Sequence, residues 1–446
     1  MRSRGAAAFR AHCRAWWMSF GPSVATLAQP SEVRAIVMAA GLVLVIAGFT
    51  NNARAQEATT PANAQAENKA GAQIITILLA RELRDRPPPL SLLDQPPKDD
   101  GVGGALLGIE DNNTTGKFLK QDFKLEVVEN NNPAALISDV VAKVDGGVGF
   151  VVTDVAPATL LKLADAIAGK TAVIFNASAP DDRLRNEDCR ANVKHTAPSR
   201  AMLADALGQY LAVKQWSKWL LVVGPTPEDK LYAEAIKRTA KRFNHRIVGE
   251  LAFTYQVGSR RADGGYEQIQ QQIPSFLQKA PPHDLVVVAD EGELFGDYFP
   301  YRTWEARPVV GTAGLFATSW HPAVELWGGT QFQNRFKRLN NRNMRALDYN
   351  VWMAVRSVGE AATRRRSGDL RELIGYMLTP EFELAAFKGR KLTYRDWNGQ
   401  LRQPVLVTTD KLNVTVSPQQ QFLHQFSELD TLGYDKPESA CKAYNK

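Results

Sequence analysis

"GVGFVVTDVAPATLLKLADAIAGKTAVIFN", residues 147–176, sets two short β-branched and aromatic runs on either side of a segment whose leucines and alanines recur at helical spacing. The first run, 147–155, predicts a strand; Pro157 opens a helix expected over 157–169; 171–176 predicts a second strand. Strand, helix and strand at these lengths make a βαβ unit, and strands without a polar face belong to a parallel sheet covered on both sides. The pattern continues in both directions. Upstream it predicts strands at 73–80 and 123–129 with helices at 103–116 and 133–144. Downstream it predicts helix 199–213, strand 219–224, helix 227–243, strand 246–254, a helix near 266–279 and strand 284–290. Two such series in one chain predict an α/β protein of two Rossmann-like lobes, each around a parallel sheet. No short repeat period is present, which excludes solenoids and propellers.

Ligands of open parallel sheets bind beyond the carboxyl ends of the strands, where loops and helix N-termini converge. That rule selects Thr153 and Asp154 after one strand, Asn176–Asp182 after the next, "GPTPED" (224–229), and Asp290 with Glu291 after the last. Ser178 and Asp181 are the polar groups of the second loop, and Asp229 that of the third. The structural alternative for this loop is that Asp181 and Asp182 cap a helix and pair with Arg185 on the surface.

The N-terminal segment is read separately. Arg34 precedes the apolar stretch 35–49, and Ala53-Arg54-Ala55 supplies small residues for cleavage, so residues 1–55 are expected to be a secretory signal peptide. Fifteen apolar residues fall short of the roughly 20 that a spanning helix needs, with an uncleaved anchor as the alternative. Residues 56–72 have little to bury and are expected to be a disordered linker. The leader holds six of the 54 basic residues and one of the 47 acidic ones, leaving 48 and 46 in the mature chain. That balance gives no reason to expect nucleic acid or an anionic membrane surface as partner. Cys13 leaves with the leader, and Cys189 and Cys441 remain. In an oxidising compartment the pair is expected to form one disulfide, the alternative being two separate buried thiols.

Other motifs carry little chemistry. "DNNTTGKFLKQD" (111–122) imitates a calcium loop but is read as a turn, and "GVGGALLG" (101–108) lacks dinucleotide-fingerprint spacing. There is no G-x-S-x-G, H-E-x-x-H or C-x-x-C. No catalytic residue, metal site or cofactor is expected, and Trp320 is the tryptophan singled out as a possible ligand-stacking ring.

Several stretches resemble a known family. "GALLGIEDNNTTGKFLKQDFKLEVVE" (104–129), "FNASAPDDRLR" (175–185) and "HTAPSRAMLADALGQYLAVKQWSKWLLVVG" (195–224) are similar in order to the type I periplasmic solute-binding proteins, the leucine and branched-chain amino-acid-binding class of ABC importers. More narrowly, "ELWGGTQFQNRF" (325–336), 384–407 and "SPQQQFLHQFSELDTLGYDKPESAC" (417–441) resemble a subfamily associated with pyrroloquinoline-quinone (PQQ)-dependent alcohol dehydrogenase systems. The resemblance implies a periplasmic, non-enzymatic, monomeric protein that closes on a small polar solute and delivers it to an inner-membrane permease. A sensor module for a membrane receptor and an accessory protein of a quinoprotein dehydrogenase are the alternatives. It further implies a first lobe of 73–196 plus about 319–388 and a second of 197–318 plus about 389–446, with hinges near His195–Thr196, Gly311–Ser319 and Leu392. Thr153, Asp154, Ser178 and Asp181 would face the solute from the first lobe, and Asp229, Asp290 and Glu291 from the second. The sequence departs from amino-acid binders at 176–180 and at 309–320, and it carries a proline-rich insert at 81–101 where a shorter glycine-rich loop is usual.

Overall fold

The computed structural model describes residues 72–85, 90, 95–254 and 269–444; the expected signal peptide, the expected linker up to residue 71 and the middle of the proline-rich insert lie outside them. The first series gives β1 (Gln73–Glu82), α1 (Val102–Gly116), β2 (Gln121–Asn130), α2 (Pro133–Asp145), β3 (Phe150–Asp154), α3 (Pro157–Ala166), β4 (Val173–Asn176) and β5 (Val193–His195). These strands form a parallel five-stranded sheet in the order β2-β1-β3-β4-β5. Alternate residues of each strand feed opposite faces, as the two-residue period of a strand requires. Ile75, Ile77, Leu79 and Val152 face one core, whereas Leu78, Ala80, Val151 and Ile174 face another with Leu136, Val140, Leu160 and Leu163 of α2 and α3.

The second series gives α4 (Arg200–Val213), β6 (Lys218–Val223), α5 (Pro227–Arg242), β7 (Arg246–Ala252), α6 (Ile269–Leu277), β8 (Leu285–Ala289), β9 (Val309–Gly311) and β10 (Leu315–Thr318). The chain then forms α7 (Gly329–Asn340), α8 (Ala346–Arg365), α9 (Leu370–Met377), β11 (Leu384–Ala385), β12 (Lys391–Tyr394), β13 (Leu401–Arg402), β14 (Val405–Thr408) and β15 (Asn413–Ser417), with two short 3-10 turns in the tail that follows. The second sheet runs β15-β14-β10-β9-β8-β6-β7, parallel from β7 to β10 and antiparallel at the β14 and β15 edge. Each lobe is thus an α/β layer structure around a largely parallel sheet.

α8 returns to the first lobe, where Trp352, Val355 and Val358 pack with Leu107 of α1 in the core beneath β1 and β3. The glycines of 101–108 serve this crossing: a Cβ on Gly104 would lie 1.9 Å from the Asp348 carbonyl oxygen, and the facing Gly359 has the same relation to Asn112 Oδ1. The resemblance of 111–122 to a calcium loop is likewise local, since Asp111–Gly116 are the last turns of α1 and Asp111 is bonded to Arg335 and Trp352.

The segments 196–199, 319 and 403–404 connect elements packed on one sheet with elements packed on the other. Gln400 Nε2 donates to the carbonyls of His195 and Ala197 (3.2 and 3.1 Å), Gln403 Nε2 to that of Thr196 (2.7 Å), and Arg185 Nη2 to that of Ala197 (2.9 Å). Leu392, expected at a hinge, is instead fully buried in the first core on β12, because the apolar side of that strand packs under α8. The stretch 389–446, expected to belong to the second lobe, is shared: Leu392, Tyr394 and Leu401 enter the first core, β14 and β15 extend the second sheet, and the tail returns to β5. There Cys441 is joined to Cys189, the Cα atoms 5.6 Å apart, and Tyr444 bonds Val193 and Lys194.

Candidate functional site

Both sheets have a strand order that reverses direction beside their first strand, at β1/β3 and at β6/β8. Such switch points leave a crevice beyond the carboxyl ends of the two strands, because the following connections diverge to opposite faces. The two crevices face each other. Between them lies a cavity of about 1000 Å³, walled on one side by Arg84, Asp85, Ser178 and Asp181 and on the other by Arg200, Glu228 and Glu291. The ends of the proline-rich insert contribute Gln95 and Pro96.

The loop after β4 is shaped by Asn176. Its Oδ1 accepts from the amides of Ser178 and Ala179 (3.3 and 2.9 Å) while its Nδ2 donates to the Ala179 carbonyl (2.8 Å). An Asx turn of this kind lets a short polar side chain replace strand hydrogen bonds with local ones. It turns Ser178 and Asp181 into the cavity. Ser178 Oγ donates to the Val155 carbonyl at 3.3 Å, so its lone pairs remain for a ligand.

The seven expected contacts divide. Ser178, Asp181 and Glu291 line the cavity. Thr153 and Asp154 are buried behind it: Thr153 Oγ1 donates to the Phe175 carbonyl (3.3 Å), and Asp154 accepts from Arg84 (3.1 Å). Asp229 closes the capping box of α5 with Thr226 and also accepts the Glu291 amide (2.7 Å). Asp290 accepts the amides of Leu294, Phe295 and Gly296 (3.0, 2.7 and 2.6 Å). These two carboxylates shape the loops that carry Glu291. Trp320 is a core residue, 2 % exposed and stacked on Tyr349 with ring centroids 4.8 Å apart.

The residue that joins the two walls is Arg200, the first residue of α4. Its Nη1 donates to Asp181 of the first lobe at 2.7 Å, and its Nε and Nη2 grip Glu291 of the second at 2.7–3.0 Å. Burial opposes the guanidinium charge, but hydrogen bonds and attraction from Glu291 and Asp181 outweigh it and hold Arg200 more firmly protonated than usual. Burial pushes the Glu291 carboxyl up, against Arg200. A sequence signal for Arg200 exists: a cation in the first turn of a helix opposes the macrodipole and therefore calls for carboxylate partners. On the far side of the Asp181–Arg200 pair a second groove of about 570 Å³ runs between α5 and the segment 181–187, edged by Tyr434.

Among the described residues no set of three or more His, Cys, Asp or Glu side chains is arranged to hold a metal ion, and no helix is long and apolar enough to cross a membrane.

The periplasmic binding protein family model matches residues 95–276, which carry β2 to β7 and the cavity-lining residues from Gln95 to Leu231. Solved structures match across both lobes. The chain has the type I periplasmic-binding fold. A branched-chain amino-acid ABC transporter periplasmic ligand-binding protein from Burkholderia xenovorans is similar with a TM-score of 0.61 and 17% identity, over 76% of this chain and 91% of that one. A leucine-, isoleucine-, valine-, threonine- and alanine-binding protein from Brucella ovis, in a closed conformation, is similar at 0.59 and 13%, over 78% and 93%. A solute-binding protein from R. palustris in complex with benzoate is similar at 0.57 and 13%, over 83% and 100%. Among curated proteins no match was found. All three of these similar proteins are described as ligand- or solute-binding proteins.

Proposed function

We propose that this protein captures a small solute between its lobes in the periplasm and presents the closed form to the permease of an ABC importer in the inner membrane. The observation that carries the reading is the cavity of about 1000 Å³ at the facing switch points of two sheets, walled by side chains of both. A solute touching both walls stabilises the closed form by its differential affinity for that form, and a permease can then distinguish loaded from empty protein. Ser178, Asp181, Arg200 and Glu291 are the proposed contacts, with Thr153, Asp154, Asp229 and Asp290 as the scaffold behind them. The lobes are taken as 73–196 with about 319–388 and 197–318 with the β14 and β15 edge, and residues 1–55 as the exported leader. The similar structures hold leucine in one case and benzoate in another, so the solute class is open to a wide small-molecule screen. The resemblance of 325–336, 384–407 and 417–441 to the PQQ-associated subfamily supports a link to alcohol oxidation.

Thermal-shift screening of the processed protein against alcohols, aldehydes, carboxylates, amino acids, amines and quinone cofactors tests the reading. A solute at 100 times its Kd stabilises by about 2.7 kcal/mol. Ser178→Ala is expected to weaken that solute without lowering the ligand-free melting point. If no compound in the panel shifts melting and Ser178→Ala changes nothing in growth on alcohols, solute capture is refuted.

A further inference from the structure

We propose that the interlobe cavity selects a small organic cation, an amine with a short apolar body, over carboxylates. The proposal rests on the solute-capture reading and names the class of solute.

The described lining holds five carboxylates, Asp85, Asp181, Glu228, Glu291 and Glu293, against two guanidiniums, Arg84 and Arg200. Both guanidiniums already have carboxylate partners within the protein, Arg200 through several N–H groups and the more exposed Arg84 through one. Arg84 donates to Asp154 at 3.1 Å, and Arg200 is held between Asp181 and Glu291 with both carboxylates within 2.7 Å. A ligand carboxylate reaching Arg200 would compete with Glu291 and Asp181, and displacing Glu291 would leave a part-buried protein carboxylate without its cation, which is the costly way to break such a pair. It would also approach Asp85 and Glu228, which have no hydrogen-bond or ion-pair partner among the described residues.

An ammonium group meets the opposite situation. Asp85 on the first wall and Glu228 on the second offer acceptors, and Ser178 Oγ, whose proton goes to the Val155 carbonyl, adds lone pairs to the same cavity. Acceptors from both lobes let one cation stabilise closure, because it meets both sets only when the lobes are together. Beside the polar Gln95 and Thr226, the wall offers hydrocarbon from Pro96, Pro157, Leu231 and Leu294, suited to the body of an amine. A bare metal ion would need several oxygens converging on one point, an arrangement not found among the described residues.

Calorimetric titration of the full processed protein with benzylamine, benzyl alcohol and benzoate compares one body with three head groups; putrescine, choline and calcium chloride complete the set. At least one amine is expected to bind saturably and at least tenfold tighter than benzoate, with affinity falling as sodium chloride rises. The exposed-site double variant Asp85→Asn/Glu228→Gln is expected to weaken that amine by about tenfold, roughly 1.4 kcal/mol, with an unchanged ligand-free melting curve. Benzoate, benzyl alcohol or calcium binding as tightly as the best amine overturns the charge selection and leaves solute capture standing. Amine affinity unmoved by the double variant overturns it as well. If no probe here and no compound of the wider screen binds, both readings fall.

Discussion

Replacing Arg200 by methionine removes the charge around which Asp181 and Glu291 are arranged, while keeping much of the hydrocarbon stem. Asp181 and Glu291 have side chains only 9% and 20% exposed, so neither recovers full hydration when the guanidinium is gone. Removing one member of a buried ion pair typically costs about 3–5 kcal/mol, and the partial exposure of Glu291 places the expected loss near the lower end, about 3 kcal/mol at pH 8. The sign of its pH dependence follows from linkage. Without Arg200 the Glu291 carboxyl loses the partner that opposes the upward push of burial, so its folded-state pKa rises further above the unfolded value and the folded protein takes up a proton there that the unfolded chain does not. Stability of the variant therefore falls as pH rises through that window, and the defect is largest at pH 8 and shrinks toward pH 4.5. Equilibrium urea unfolding of wild type, Arg200→Met and Arg200→Met/Glu291→Gln at both pH values measures it. The double variant removes one stranded charge and is expected to regain about 1–2 kcal/mol at pH 8. A variant within about 0.5 kcal/mol of wild type at pH 8, or a defect that grows on acidification, refutes the role assigned to this triad.

Four further outcomes are expected. Joining positions 252 residues apart restricts the unfolded chain by about 5 kcal/mol on the chain-entropy model, so Cys189→Ser/Cys441→Ser melts well below wild type, and reductant lowers the melting point of wild type alone. Burial pushes the Lys194 amine down to about 7 from its ordinary 10.5, so the unfolded chain holds a proton there that the folded chain releases between those values. The cost of charging it in the fold is complete below pH 7 and fades by about pH 10.5; Lys194→Met should stabilise most at pH 6 and progressively less up to pH 10 in parallel urea titrations. Asp290→Ala strands three amides and is expected to lower stability by about 2–3 kcal/mol, whereas Ser178→Ala changes it by less than about 0.5 kcal/mol. Trp320→Ala, which hollows the first core, is expected to cost about 3–5 kcal/mol by the same measurement.

The βαβ series was legible because its signal is local. Residues 150–154 and 285–289 are apolar runs buried along their whole length, and capping groups such as Asn132, Ser199 and Thr226 mark helix starts within a residue of the expected positions. β5, β9 and β11 were not legible as strands, since two or three residues carry no period and are strands only through the neighbours they pair with. The same limit explains the passage at 403–404: Leu392 and Gln403 differ in role because of what packs on them, and nothing in their own neighbourhood records it.

At the site, the sequence by itself determined the loops, since polar groups after apolar parallel strands lie at carboxyl ends wherever the sheet goes. It placed Ser178, Asp181 and Glu291 at the cavity, and it equally placed Asp229 and Asp290, whose carboxylates turned inward to satisfy backbone amides. Only the tertiary structure decided between those fates, and only it brought Arg200 between Asp181 and Glu291, 19 and 91 residues away in sequence. The physical reason is range: burial pattern and caps act over one turn or one strand, whereas the partner of a charge is whichever opposite charge the packed lobes leave beside it.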